Sequence, residues 1–112
     1  MQITNQTKKL KFNAELADNM FLQAKGLSFS SRKRNMLFRF KSPIKWGFWM
    51  FGMCHDIWIA FIDDNHRVFQ LERARKMTLN PATWKVYKPA KACKYVLETT
   101  EKIVNLGDRL KF

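Results

Sequence analysis

Cysteine is scarce in this chain of 112 residues: there are two, Cys54 and Cys93. They form no CxxC pair, and two do not make a disulfide framework, which argues against a stapled small scaffold. Each reads as a buried small hydrophobe. Histidine is equally scarce, with only His55 and His66. A metal site needs three or four ligands at suitable spacing, and nothing local converges on one. The expectation is therefore no metal and no cofactor. Long apolar runs are missing too. None approaches the roughly 18 residues that would suggest a membrane span, and no charged-then-apolar leader stands at the N-terminus. The plain expectation is a cytoplasmic protein. Acidic residues are few: 9 Asp and Glu face 21 Lys and Arg, a net charge of +12. Such a balance says nothing about fold, but it would attract nucleic acid, an anionic membrane face or an acidic protein. A generally solvated basic surface is the bland alternative, since the lysines are spread along the whole chain.

What is plentiful is apolar bulk. Hydrophobic residues make up 46%, including 10 Phe and 4 Trp, which marks a globular chain and not a disordered basic tail. The length suits one domain over residues 1–112, with 1–6 expected to fray. The densest stretch runs from Trp46 to Asp63 (WGFWMFGMCHDIWIAFID). Its second half, Ile57 to Ile62, is an unbroken apolar run that reads as a strand buried on both faces. Gly52 marks a kink or a close approach of another backbone.

The remaining segments follow from periodicity and punctuation. Lys8 to Ala14 alternates Leu10 and Phe12 with polar residues, a half-buried strand. Asp18 is a good N-cap and Gly26 a good C-terminal stop, which predicts a two-turn helix over Asn19 to Lys25. Met36 to Phe40 is a strand, and Pro43 signals a turn. Asp63 to His66 is a tight connection returning as a hairpin strand over Val68 to Glu72. Arg73 to Trp84 reads as irregular, with Asn80-Pro81 as a turn signal. Lys91 to Thr99 is a strand, and Asn105 to Asp108 turns into a last short one over Arg109 to Phe112. About seven short strands and one helix predict a mainly β fold, a sandwich or barrel with a helical plug.

Four blocks in this order resemble the domain of unknown function 192 family. They are Ala24-Lys25-Gly26-Leu27, Asn35-Met36-Leu37-Phe38, then Phe48-Trp49-Met50 with Asp56 and Phe61-Ile62-Asp63, and finally Tyr95-Val96-Leu97-Glu98 with Gly107-Asp108. The chain departs from the family pattern at Asn35, at Phe51-Gly52-Met53 and at Cys54-His55. The resemblance implies a compact, jelly-roll-like β fold and no particular activity.

Two candidate sites emerge. Trp49, Met50, His55 and Asp56 flank the buried strand and could line a small ligand pocket or an enzymatic one. The alternative is that Asp56 accepts backbone N–H bonds and fixes a turn. His55 and Asp56 are adjacent, so in a strand they would point to opposite faces and form no dyad. No serine stands as a nucleophile beside them, and Cys54 lacks a thiolate-activating neighbourhood. The second site is basic. Lys85, Lys88, Lys91 and Lys94 recur every third residue among Trp84, Tyr87 and Tyr95. In an extended polyproline-like segment that period makes one basic row. With Arg73, Arg75 and Lys76, and the separate cluster Arg32, Lys33 and Arg34, it supplies the ingredients of single-stranded RNA or DNA binding: charge for the backbone and rings for the bases. The alternative is that Trp84 and Tyr87 pack inward and the lysines are merely solvated. The leading expectation is a non-enzymatic binding module for such an anionic partner.

Overall fold

The computed structural model describes residues 1–19, 33–50 and 52–112. Among them are ten strands: β1 (Gln2–Asn5), β2 (Leu10–Asn13), β3 (Glu15–Ala17), β4 (Met36–Ile44), β5 (Phe48–Trp49), β6 (Ile57–Ile62), β7 (Val68–Ala74), β8 (Val86–Tyr87), β9 (Cys93–Thr99) and β10 (Leu110–Lys111). The described residues contain no α-helix and one 3-10 turn, Pro81–Thr83, capped by the Asn80 side chain. The helix expected over Asn19 to Lys25 lies, apart from Asn19, outside the described residues. So do the block Ala24 to Leu27, Phe51 and Arg32.

The fold is mainly β, in three open sheets. A central five-stranded sheet has the order β3-β4-β9-β6-β7; β10-β1-β2 and β5-β8 are smaller sheets. β3 runs parallel to β4, and the other pairs of the central sheet are antiparallel. Strand period explains how the sheet is covered. Along β6, Ile57, Ile59 and Phe61 enter one buried cluster with Met36, Phe38 and Val96. The alternate residues Ala60 and Ile62 enter a second cluster with Leu37 and Leu97. The first face is covered by Phe48, Met50 and Tyr87, from β5, β8 and the residue after β5. The second is covered by Ile3 and Leu110 of the three-stranded sheet, with Phe12 beside them. β6 is therefore buried on both sides, as its unbroken apolar run predicts. Only Trp58 in it is half-buried.

Several expectations need correction. Residues 1–6 are not frayed: Gln2–Asn5 is β1, and Ile3 and Asn5 are fully buried. The Asn5 amide donates to Asp108 Oδ2 at 2.7 Å and to the Ile103 carbonyl at 3.1 Å. A buried amide and a buried carboxylate satisfy one another there, which is how such groups are tolerated. Pro43 does not end β4. The strand runs on to Ile44 through a register shift between Arg39 and Ile44, the kind of irregularity at which proline is accepted. The β6–β7 hairpin forms as expected. His66 takes φ +60°, and Asp63 Oδ1 accepts from the Asn65 and Arg67 amides. The His66 ring stacks on Phe112 with centroids 4.2 Å apart.

Candidate nucleic-acid interface

The short β5–β8 pair positions the functional side chains. Its register sets Phe48 opposite Tyr87 and Trp49 opposite Val86. Phe48 and Tyr87 point inward. The Phe48 ring meets Phe38 at 5.7 Å and Phe61 at 5.8 Å, both edge-on. The Tyr87 hydroxyl accepts a hydrogen bond from the Arg75 amide at 3.2 Å. The period of two then turns Trp49 and Val86 outward, where they are 64% and 40% exposed. Gly47 lets the two chains close up. A Cβ there would run into the Val86 side chain and press on Lys88.

More aromatic surface flanks this pair. Trp84, 59% exposed, is fixed by its indole N–H, which donates to the Thr78 carbonyl at 2.8 Å. Trp46, 60% exposed, rests edge-on against Phe40 at 5.4 Å. Three of the four tryptophans thus stand more than half in solvent on or beside one strand pair. Single exposed apolar residues are ordinary, but three open tryptophans near one short strand pair offer more ring surface than that; antiparallel pairing sets Trp46 and Trp84 toward its opposite ends. Trp46 was not singled out in the sequence. Its signal is weak, since an aromatic before a glycine reads equally well as core.

The basic residues do not form one row. Val86–Tyr87 is a strand, which breaks the polyproline-like segment the three-residue period suggested. Lys85 Nζ lies 5.4 Å from the Tyr87 ring centre. Lys88 is exposed, and its carbonyl accepts from the Gln70 amide at 2.8 Å. The same Gln70 accepts from the Ala90 amide, so one side chain clamps this segment along β7. Lys91 Nζ sits 4.7 Å over Phe69. Lys94 is half-buried within β9. Arg73 lies 5.1 Å over Trp58 and 3.7 Å from Asp56 Oδ2. Arg75 and Lys76 are exposed nearby, and Lys33 is exposed beside half-buried Arg34. Lys88 is therefore the cation whose side chain lies with Val86 near Gly47, while Lys85 reaches over the Tyr87 ring. Trp84 faces water while Tyr87 is core, so the aromatic part of the expectation divides between its two readings.

The residues of the ligand-pocket reading differ in exposure. Trp49 is exposed, whereas Met50, next to it, is 1% exposed and belongs to the core. Asp56 Oδ1 accepts the Lys76 amide at 2.9 Å and Oδ2 faces Arg73, which is the turn-fixing role weighed against a ligand. His55 lies half-buried in the bend before Asp56. Cys54 there is exposed and not a buried hydrophobe; Cys93 is buried. Burial pushes the Cys93 thiol up, which keeps it a neutral thiol and a poor nucleophile. Among the described residues no group of three or more His, Cys, Asp or Glu could hold a metal ion. Also among them, no helix is long and apolar enough to cross a membrane.

One buried group went unnoticed in the sequence. Glu98, 6% exposed, stands in β9 between Met36 and Ile59 of the neighbouring strands. Its Oε2 has no hydrogen-bond partner. Burial raises its pKa to about 8. A lone carboxylate among the apolar residues of a central strand is the signal that could have found it.

The fold and the exposed face define a small, mainly β protein in which a central sheet carries a smaller sheet on each side. The chain belongs to the DUF192 family, described as Uncharacterized ACR, whose model matches residues 1–112. No curated protein matches the sequence. Among solved structures it is similar to a protein of unknown function from Novosphingobium aromaticivorans, at 24% identity and a TM-score of 0.81. That match covers 99% of this chain and 82% of the other. It is also similar to a Sinorhizobium meliloti protein described as a "putative transcription regulator", at 20% identity and a TM-score of 0.77, covering 98% of this chain and 89% of the other. Both likenesses are of fold.

Proposed function

We propose that this chain is a single-domain, non-enzymatic binding module for single-stranded nucleic acid. The carrying observation is the exposed set Trp46, Trp49 and Trp84 around β5–β8, with the Lys88 side chain beside Val86. Rings offer sequence-tolerant stacking surfaces for bases, and lysines neutralise the phosphates between them. The net charge of +12 favours the encounter. The transcriptional description of the Sinorhizobium meliloti protein is in keeping with such a partner. A jelly-roll-like sandwich, as the family resemblance implies, fits a central sheet covered on both faces.

The test is a fluorescence titration with mixed-sequence single-stranded RNA, with heparin as the polyanion control. Wild type should bind RNA more tightly than heparin. Stacking is worth about 1–3 kcal/mol per base, so Trp49→Ala with Trp84→Ala should weaken RNA binding at least about tenfold. Heparin binding should hardly change. Equal loss for both polymers, or no loss for either, would sink the reading.

A further inference from the structure

Glu98 lies on the same face of the central sheet that seats the aromatic strand pair. Pairing fixes this: Glu98 is opposite Met36 on one side and Ile59 on the other, and both belong to the cluster that holds Phe48, Met50 and Tyr87. The next row of that face is Phe38, Val96 and Phe61. Phe48 packs edge-on against both of its rings. Two residues along a strand span roughly 7 Å, so the Glu98 carboxyl sits one row from the ring that anchors β5.

The charged surroundings would not help a carboxylate there. The same row continues to Glu15 of β3, opposite Met36, and to Glu72 of β7, opposite Ile59. Arg34 is committed to Glu15 at 3.2 Å, and Glu72 is held by the Gln70 amide at 3.2 Å. Among the described residues of this cluster the other titratable groups are the Cys93 thiol and the Tyr87 phenol, neither of which carries a positive charge. Lys85 approaches only the Tyr87 ring. Glu15 and Glu72 stand two strands away, roughly 10 Å, so burial is what disfavours an ionised Glu98, whose Oε2 would have no donor. Such a charge is relieved by admitting water, and water admitted there undercuts the apolar contacts of the row beside it.

We propose that the protonated Glu98 carboxyl is a latch: when it gains its charge, the β5–β8 pair loosens from the sheet and the exposed tryptophan face loses its fixed geometry. The proposal rests on the binding reading above for its consequence, but its structural content does not. The carboxyl's tendency to stay protonated up to about pH 8 places the transition in mildly alkaline solution.

The experiment follows backbone hydrogen exchange by segment at about pH 6.5 and about pH 9.5, corrected for the intrinsic base-catalysed rate, without any nucleic acid. In wild type the amides of 48–49 and 86–87 should open at least about tenfold more at the higher pH, and those of the β6–β7 hairpin much less. In Glu98→Gln the excess should vanish. If that variant does not fold, Glu98→Met, apolar and of similar length, takes its place. An equal excess in the uncharged variants, or none in wild type, overturns the latch. A second arm measures RNA affinity at both pH values. A pH-dependent loss in wild type that the variants lack supports latch and binding face together. Exchange that behaves as expected with no RNA binding at either pH supports the latch and rejects the nucleic-acid reading.

Discussion

Glu98 carries a carboxyl into the middle of a sheet face otherwise built from Met36, Ile59, Phe38, Val96 and Phe61. Its folded-state pKa, about 8, lies above its ordinary value of 4.5, with burial as the cause. The linkage has a definite sign. Between those two values the folded state holds a proton that the unfolded state has released, so stability falls as pH rises. It is fully present below about 4.5 and has been lost once pH passes about 8. The slope in that window is on the order of 1 kcal/mol per pH unit for one proton. Urea unfolding at intervals across it should give wild type a steady decline, superimposed on whatever the other groups contribute. Glu98→Gln should lack that component, so the two stability curves should converge toward acid and separate toward alkali. Parallel curves would mean that Glu98 ionises freely in the fold. A lone carboxylate in an apolar stretch is the one sequence signal of this behaviour, and it is ambiguous. An acidic residue in Tyr95-Val96-Leu97-Glu98 could as easily have ended its strand in water; it is the pairing of β9 between β4 and β6 that buries it.

At the scale of elements, β5–β8 combines little chain with, among the described residues, much exposed aromatic surface. A two-residue pair has little ladder to hold it, and it persists because Phe48 and Tyr87 are seated in the core. Gly47 is its close-packed point, where a Cβ would collide with Val86. Gly47→Ala should therefore destabilise the protein by about 1–3 kcal/mol, the usual cost of overpacking. Adding Val86→Ala should recover most of that loss, and a double-mutant cycle by urea unfolding measures the recovery. Purely additive losses would show that the two side chains do not meet. The same pair explains what the sequence could and could not disclose. β6, the β6–β7 hairpin and β9 were legible because their apolar periodicity is long and their turns carry Asp, Asn or Gly. β8 was not: Val86 and Tyr87 are a two-residue strand among lysines and Pro89, and only tertiary pairing with Phe48 and Trp49 makes them one. β1 was missed because Gln2-Ile3-Thr4-Asn5 looks polar, and its buried Asn5 makes sense only beside Asp108. For the candidate site, Trp84 and the nearby lysines were visible as a composition. Which rings face out depends on a register that no local signal carries.

Across the whole molecule the surplus of positive charge is not uniform in what it can do. Every cation contributes to long-range attraction, but only those with an uncommitted head group can trade counterions for phosphate contacts. Arg73 is held between the Trp58 ring and Asp56. Lys102 occupies a position 5.1 Å from the same ring, and Lys91 covers Phe69. Lys88 accepts a hydrogen bond at its backbone carbonyl, and its side chain lies beside Val86 on the outward face. The salt dependence of RNA binding should sort these classes. Lys88→Gln should lower the slope of log affinity against log salt by about one, as expected for one lost phosphate contact. Lys91→Gln and Arg73→Gln should change it by much less, even though each removes the same formal charge. Arg73→Gln should instead lower stability slightly, because an exposed pair and a ring contact are each worth up to about 1 kcal/mol. If all three substitutions lower the slope equally, the protein attracts polyanions through its total charge, and β5–β8 holds no privileged position. If only Lys88 does so, affinity is localised at the tryptophan face, where stacking and neutralisation act on the same strand.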